Sequence, residues 1–434
     1  MTNTIDTDRK VRFLAADRKV PTGIAAASIA ASWVWAPALF VSAEVAYKWG
    51  WQGLAWFVVP NVLVLVIFGW FAERMRNRLP DGFTLSAYMR DVYSRRVQNA
   101  YIGQLSALAI CSFAVQLVAG GAVIATITGL PYLLVTALMA GAAFAYSVIG
   151  GLKASIVADL VHIIATVATV VIFAPAIATA VGLDTILAGL SSAHVDPWTL
   201  ALAFGIPTAI GLLSGPFGDQ SFWQRAFAIR QGSVRRAFTL SAPIFAIVPL
   251  SMAVLGFAAV GGGLNISNPQ LVNVETVQQM LPSWAIIPFT VMILGALVST
   301  LDNNLCSVSA LAGHDLAHTG NAIRRGRAAM IGAVILATLI ANVPGIAIVH
   351  LFLVYGTLRA STLAPTVITL VSGRRPTEAG VFYGIIAAIF VGVPVLVYGS
   401  ILGGGPTFTA LGSVLTITIA TVACLATRSA RARA

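Results

Sequence analysis

Twelve apolar segments, each about long enough to cross a lipid bilayer, follow one another along this chain. A spanning helix needs about 20 mostly apolar residues, and the segments lie at roughly 21–48, 51–73, 99–128, 131–150, 153–182, 197–216, 234–261, 284–313, 328–344, 346–372, 378–401 and 409–427. Of all residues, 58% are hydrophobic and 9% are charged, whereas soluble domains carry about 25% charged residues. No soluble core could enclose so much apolar surface, so the sequence predicts an all-α polytopic membrane protein with about 12 transmembrane helices.

The basic residues lie in short clusters between these segments. Of the 26 Lys and Arg residues, 24 lie in the N-terminal tail, in alternate loops and in the C-terminal tail, while Lys48 lies opposite and Arg359 lies within a helix. Basic loops stay on the cytoplasmic side of a membrane. We therefore expect a multi-pass protein of the inner (plasma) membrane with both termini in the cytoplasm and the 263–283 loop outside. The net charge of +11 is thus a topology signal, and we expect no nucleic acid partner.

The sequence lacks the signals of several other protein classes. No phosphate-binding loop is present, which argues against an ATP-driven pump, and we predict neither an enzyme nor a cofactor site. Three cysteines, Cys111, Cys306 and Cys424, all lie in apolar segments without a Cys-x-x-Cys pair, so we interpret them as buried thiols. The first 20 residues are polar and basic, and we expect no cleaved signal peptide.

Segments one and six contain residues that interrupt a helix. Pro37 lies near the middle of segment one, where it lacks an N–H group and displaces the carbonyl of Trp33. Segment six contains Gly205, Pro207, Gly211, Gly215 and Pro216. The two segments are five helices apart and so run in opposite directions. Interrupted helices at matching positions of two inverted halves mark the central site of many transporters, although either proline alone could be a structural kink.

Segment eight carries two adjacent hydroxyls, Ser299 and Thr300, followed by Asp302. Such groups are costly in lipid unless they face a cavity or a partner. A hard cation such as Na⁺ prefers oxygen ligands, which these hydroxyls and the carbonyls of a broken segment one would supply at similar depth. The alternative is that both hydroxyls only bond to carbonyls one turn earlier.

Three further motifs extend the pattern along the chain. Residues 150–154 read Gly-Gly-Leu-Lys-Ala and precede Asp159, and residues 219–225 read Asp-Gln-Ser-Phe-Trp-Gln-Arg. Residues 298–300 read Val-Ser-Thr, with His314-Asp315 following later. In this order, from about residue 15 to 375, they resemble the sodium:solute symporter family. Residues 31–36 (Ala-Ser-Trp-Val-Trp-Ala) and 45–50 (Val-Ala-Tyr-Lys-Trp-Gly) are similar to its urea active transporter branch.

The resemblance implies a LeuT-type fold, in which a 5+5 inverted-repeat core has broken helices 1 and 6. It implies a sodium site formed by the carbonyls of Ala30, Trp33 and Ala296 and the hydroxyls of Ser299 and Thr300. Many relatives have an additional helix before the first core helix, and this sequence shows none there. We still expect transport, because the ten-helix core is complete.

The resemblance also places Asp159 on the ion's route to the cytoplasm. Counted along straight helices at 1.5 Å per residue, Asp159 and Asp302 lie roughly 9 and 16 Å from the cytoplasmic ends, below the proposed cation site. We predict that both acids belong to the ion-exit path. The alternatives for Asp302 are balancing the cation's charge, carrying a proton or pairing with a base.

Several other polar and aromatic residues are candidates for a role. For solute binding these are Ser32, Trp35, Gln104, Gln116 and Tyr355. We expect the buried Arg359 to tie helix-break carbonyls rather than bind solute, and Asp219 and Gln220 to lie at the cytoplasmic mouth.

These features together predict sodium-coupled symport of a small polar, urea-like solute by alternating access. The apolar, aromatic break of segment one offers no charged partner, which suits an uncharged solute. The alternatives are Na⁺- or H⁺-coupled uptake of a carboxylate or amino acid, an uncoupled urea-type channel, and a sensor. We divide the chain into a tail (1–20), a transport core (21–372) and two peripheral helices with a basic tail (373–434).

Overall fold

A computed structural model describes Val11 and residues 15–191, 195–316 and 322–427, without the side chains of 149–151, 153 and 154. Within these ranges the chain is helical apart from turns, loops and one isolated bridge between Val20 and Ile229. Outside the described part lie the remaining tail residues, the Lys153 side chain and the C-terminal arginines (428, 431 and 433). The predicted position of these basic residues on the cytoplasmic side stays a prediction.

The helices of the described part follow the predicted segments. They are α1 (Thr22–Trp33), α2 (Ala36–Leu39), α3 (Val41–Arg78), α4 (Leu85–Val92), α5 (Arg95–Thr128), α6 (Tyr132–Val181), α7 (Leu183–Ser191), α8 (Pro197–Leu213), α9 (Gln220–Ala228), α10 (Val234–Gly261), α11 (Val272–Met280), α12 (Ile286–Ala310), α13 (Ala322–Ala341), α14 (Ile348–Val371), α15 (Glu378–Ser400) and α16 (Pro406–Ala426). Eight helices of the described part are long and apolar enough to cross a membrane, and three shorter apolar helices accompany them. The prediction of an all-helical polytopic membrane protein is confirmed.

Segment one is broken where the sequence predicts it. Helix α1 ends at Trp33, and Val34 (φ −84°, ψ 86°) and Trp35 (φ −120°, ψ 179°) are non-helical before α2 begins. Pro37 occupies the first turn of α2, where its missing N–H costs nothing. The boundary with segment two falls at Gly50, whose backbone (φ 58°, ψ −149°) is in a region essentially restricted to glycine.

Segment six is also interrupted, and it continues further than the predicted boundary. A π-helical turn covers Ala201–Gly205 within α8, and a 3-10 turn covers Pro216–Gly218. Asp219 then begins α9, in which every residue is buried. The stretch after the break is therefore part of the protein interior and not a loop at the surface.

Segments four and five are not separated by a loop. The helical backbone runs from Tyr132 to Val181, a length of 50 residues. The predicted boundary near residues 151–152 lies within this helical stretch, with one apolar helix before it (Tyr132–Val148) and one membrane span after it (Ser155–Val181).

Helices α15 and α16 pack mainly against each other and against α14. Helix α10 packs along α3, and α12 packs along α6 and α5. This arrangement surrounds the two broken segments with long helices, so the residues at the breaks are shielded from lipid. The division into tail, core and peripheral helices stays a prediction.

Candidate functional site

The breaks of segments one and six border one cavity, which α5, α12 and α14 complete. It has room for the centre of about one water-sized molecule (volume ≈ 10 Å³), close to the smallest space that holds a water. The residues around it are Ser32, Trp33, Trp35, Ser112, Asp219, Ser221, Thr300, Asn303, Asn304, Tyr355 and Arg359. The cavity is thus small and lined by buried polar and aromatic groups.

The backbone of the first break is stabilised from a neighbouring helix. The N–H of Val34 still bonds to the carbonyl of Ala30 (2.9 Å), whereas the N–H of Ala36 donates to Oε1 of Gln116 at 2.9 Å. The residue four positions after Trp33 is Pro37, which has no N–H to offer to the Trp33 carbonyl. Gln116 therefore stabilises the break, and its amide nitrogen donates to the Ser112 carbonyl, so both of its ends are occupied.

The predicted cation ligands lie at the contact between α1 and α12. The Thr300 hydroxyl donates to the carbonyl of Ala296 at 3.2 Å and faces the carbonyl of Val34 at 3.5 Å. Val34 is in turn bonded to Ala30, so the structure brings the predicted residues of both helices together. A hydroxyl that donates its proton keeps its lone pairs for a cation, and the arrangement fits a hard cation. Cation binding by this set stays a prediction.

Asp159 lies directly against these residues. Its carboxylate accepts from Ser299 (2.5 Å), Ser28 (2.6 Å) and Asn303 (3.2 Å) and pairs with Arg225 at 2.7 Å. Asp159 is fully buried, and the Arg225 side chain is 3% exposed. Counting along straight helices predicted that Asp159 lies well below Ser299 in the membrane. This prediction is wrong, because the two side chains are hydrogen-bonded to each other. Its proposed place on the ion's exit path stays a prediction.

Asp302 lies in a different environment. Its carboxylate contacts Cys306, whose thiol donates at 3.8 Å, and the hydroxyls of Ser147 and Ser155. Among the described residues no Lys or Arg pairs with it. The two acids of the predicted exit path therefore differ, because Asp159 forms an ion pair with a buried arginine and Asp302 forms none in the described part.

A second buried ion pair lies at the cavity itself. Arg359, 2% exposed, donates from Nη2 to Asp219 at 2.9 Å and to the Tyr355 hydroxyl. The Tyr355 hydroxyl donates to Asp219 at 2.7 Å. The guanidinium carbon lies 3.7 Å from the centre of the Tyr355 ring, 5.0 Å from that of Trp33 and 5.6 Å from that of Trp35. Arg359 is thus held by a carboxylate and three aromatic rings.

Two expectations are corrected by this pair. Asp219 was expected at the cytoplasmic mouth, but it lines the cavity and its other oxygen caps α9 by accepting from Ser221. Arg359 was expected to tie helix-break carbonyls, but its described hydrogen bonds go to Asp219 and Tyr355. The first error comes from counting depth along a straight segment six, whereas α9 after the break is buried in the protein. The second comes from the partner assumed for a buried charge, which is a carboxylate and a hydroxyl and not a set of carbonyls. Gln220 was expected at the same mouth. Its side chain accepts from the N–H of Leu85 and donates to the carbonyl of Phe83, in the loop region before α4.

The other predicted solute-binding residues are distributed unevenly. Ser32, Trp35 and Tyr355 line the cavity. Gln104 does not line it and donates to the carbonyls of Gly218 and Leu358, while its Oε1 is buried without a partner. Gln116 lies behind Ala36. Solute binding by these residues stays a prediction.

Sequence reasoning missed Asn303, Asn304, Arg225 and Asp219. Helical spacing could have found the first two, because Asn303 follows Ser299 by four residues and Asn304 follows Thr300 by four, which places each pair on one face. Arg225 was counted with the basic loop, and its charge alone gave no sign of burial.

Two interrupted helices that meet beside an ion-paired polar cavity, inside a helical membrane protein, define the class of LeuT-type transport proteins. The chain belongs to the sodium:solute symporter family, whose model matches residues 13–388. The proteins of this family are transporters and not enzymes.

Curated relatives are similar over part of their length. The chain is 24% identical over 433 residues to the urea-proton symporter DUR3 of Oryza sativa subsp. japonica, covering 88% of this chain and 60% of the relative. It is 26% identical over 162 residues to the urea active transporter of Saccharomyces cerevisiae, covering 37% and 22%. This chain therefore spans no more than 60% of the length of these relatives.

Solved structures share the fold at low sequence identity. A Na⁺-coupled sialic acid symporter in a substrate-bound outward-open state has a TM-score of 0.75 at 16% identity, covering 95% of this chain and 92% of that one. Mhp1, a nucleobase-cation-symport-1 family transporter in a closed conformation, has a TM-score of 0.62 at 13% identity, covering 95% and 93%. The predicted LeuT-type fold is confirmed.

Proposed function

We propose that this protein is a secondary active transporter of the plasma membrane, with both termini cytoplasmic, that couples entry of a small neutral, urea-like solute to a cation gradient. Family membership and the symporters with the same fold support cation-coupled transport. The names of the relatives from rice and yeast support urea as the solute.

The charge balance of the cavity is the observation that carries this proposal. Among its lining residues one is acidic and one is basic, Asp219 and Arg359, and they pair with each other. A charged solute would have to break this pair or remain uncompensated among buried residues, which is costly. A neutral solute with hydrogen-bonding groups needs neither.

Na⁺ at the contact between α1 and α12 is the proposed coupling ion. The hydroxyls of Ser299 and Thr300 and the free carbonyl of Trp33 would supply its oxygen ligands. A cation held there would fix α1 against α12 and so stabilise the conformation that accepts the solute, because binding energy shifts the population toward the state that binds better. Its release toward the cytoplasm past Asp159 would then allow the solute to leave.

H⁺ is the second candidate for the coupling ion. The rice relative is named a urea-proton symporter, and Asp302 is a buried carboxylate that pairs with no basic group in the described part. Intramembrane carboxylates often belong to proton relays, so Asp302 is the candidate proton carrier.

Uptake of radiolabelled urea into proteoliposomes tests the proposal. Three conditions are compared: an inward Na⁺ gradient, an inward H⁺ gradient and no gradient. We expect accumulation above equilibrium under the Na⁺ gradient, and accumulation under the H⁺ gradient alone would identify the proton instead. Equilibration at equal rates under all three conditions would indicate an uncoupled channel. Uptake of an amino acid or carboxylate but not urea would reject the neutral solute.

A further inference from the structure

The two buried arginines of this site use their donors differently. Arg225 bonds from all three nitrogens: Nε to Ser28, Nη1 to the Ser221 carbonyl, and Nη2 to Asp159 and Asn303. Its hydrogen bonds are those of an arginine that ties helices together. Arg359 bonds from Nη2 alone in the described part, and its Nε is buried without a partner. Buried donors without partners are rare and costly.

A second buried donor without a partner lies beside Arg359. Trp33 is 1% exposed, its indole Nε1 has no hydrogen-bond partner among the described residues, and its ring faces the Arg359 guanidinium. Both residues line the cavity. By contrast, the indole nitrogen of Trp223, outside the cavity, donates to the Phe217 carbonyl at 2.9 Å. Two of the buried donors without a partner in the described part, Nε of Arg359 and Nε1 of Trp33, thus belong to residues of α14 and α1 that line the cavity.

The pairing of Arg359 explains how these donors are oriented. Asp219 and Tyr355 both bond on the Nη2 side, and Asp219 is itself fixed by capping α9. Asp219 is therefore occupied and offers little to a ligand, whereas the rest of the guanidinium remains available. In α12, Asn304 also lines the cavity and bonds through its amide nitrogen to Ser112 and the Thr300 carbonyl, which leaves its amide oxygen as an acceptor.

We propose that Arg359 and Trp33 are the solute-binding donors, which together receive the carbonyl oxygen of a neutral amide-type solute. Asp219 and Tyr355 are positioning residues that hold the guanidinium, and Asn304 accepts from the solute's N–H groups. This inference rests on the proposed function and deepens it, because it selects solutes with one carbonyl and at least one N–H group: urea and simple amides.

Binding to purified protein tests the inference without requiring transport. Radiolabelled urea and acetamide are the probes, with unlabelled 1,2-ethanediol as a competitor that has no carbonyl. Arg359→Lys keeps a cation beside Asp219 but loses the planar guanidinium donors, and we expect urea affinity to fall about 10- to 100-fold, as for loss of hydrogen bonds to a charged group. Trp33→Phe keeps the aromatic ring and loses only the N–H, for which we expect a fall of about 2- to 10-fold. 1,2-Ethanediol should not compete.

Two matched variants separate binding from structure. Trp223→Phe removes an indole N–H that is already bonded within the protein, so it should lower the midpoint of thermal unfolding and leave urea affinity unchanged. Trp33→Phe should lower urea affinity and leave the midpoint of thermal unfolding unchanged, because a donor without a partner does not stabilise the solute-free protein. Arg76→Lys replaces a buried arginine far from the cavity, which bonds to the carbonyls of Ile229 and Pro80, and should leave urea affinity unchanged.

Unchanged urea affinity in Trp33→Phe and in folded Arg359→Lys overturns the inference. Failure of the wild-type protein to bind urea or acetamide also overturns it. If that protein nevertheless accumulates a carbonyl-free solute under a cation gradient, the proposal of coupled transport still holds. The opposite result is also possible: tight binding requires a carbonyl, Trp33 and Arg359, but flux does not depend on a gradient. This result supports the inference and rejects coupled transport.

Discussion

Asp159 and Asp302 are both buried acids, but they have opposite electrostatic surroundings. Asp159→Asn leaves the guanidinium of Arg225 buried without its counter-charge, and breaking such a pair costs about 3–5 kcal/mol. Asp302→Asn removes a buried carboxylate that forms no ion pair in the described part, so the stability of this variant should be equal to or above that of wild type. Thermal unfolding of both purified variants checks this. A double variant, Asp159→Asn with Arg225→Gln, should recover part of the loss, and equal losses in both single variants would contradict the assignment.

The exit-path prediction for these acids is separate and concerns rates. We expect Asp159→Asn to slow turnover more than it weakens initial solute binding, because it removes the acid next to the cation's site. Asp302→Asn should slow turnover further if that carboxylate also balances the charge of the bound cation. Turnover per folded molecule and Na⁺-dependent binding are measured separately. Normal turnover in both variants would reject the exit path and leave only a structural role.

Ser299 and Thr300 supply the two hydroxyls of the predicted cation site. Ser299→Ala and Thr300→Ala should each raise the Na⁺ concentration for half-maximal uptake, because each removes an oxygen ligand that the closed interior cannot replace with water. Saturating Na⁺ should partly restore solute affinity, since coupling between two ligands is reciprocal. Ser307→Ala is the control, because Ser307 bonds to the Asn303 carbonyl one turn earlier in the same helix. Na⁺ dependence equal to wild type in both site variants would point to a proton or to no coupling.

At the scale of helices, α8 and α14 approach one another through glycine. A Cβ atom on Gly211 would lie 2.6 Å from Cα of Gly356, a backbone atom that cannot rotate away. Gly211→Ala should therefore push the broken helix from α14 and cost roughly 1–3 kcal/mol. Gly103→Ala in α5 is the matched control, because nothing lies within 4 Å of its added Cβ, and its thermal stability should be unchanged or slightly raised. A smaller loss in Gly211→Ala than in Gly103→Ala would refute the close approach.

The helix elements could be predicted from sequence because their causes are local. Apolar length determines the spans, Pro37 determines the first break, and Gly50 permits the turn into the next segment. Depth along the helices could not be predicted in the same way. Once segment six breaks, the count from its cytoplasmic end no longer measures distance, and so Asp219 was placed outside the cavity that it lines.

The site as a whole depends on contacts between residues far apart in the sequence. Asp159 and Arg225 are 66 residues apart, and Tyr355 and Asp219 are 136 apart. The pattern of one helix says which residues share a face, as for Ser299 and Asn303, but not which helix lies opposite. Family motifs supplied Asp159 and the two hydroxyls, whereas the pairing that makes the cavity neutral required the tertiary structure.

The orientation of the molecule in the membrane is the last property that the sequence predicts. The asymmetry of basic residues predicts that the 225–236 loop is cytoplasmic and the 263–283 loop is outside. Gln231 and Asn265 are exposed in these two loops, and the protein's three cysteines are all buried, which gives a low labelling background. In intact cells a membrane-impermeant maleimide should label Asn265→Cys and not Gln231→Cys, and permeabilised cells should label both. Labelling of Gln231→Cys alone in intact cells would show that the topology is the opposite of the predicted one. A cation leaving past Asp159 would then travel in the opposite direction.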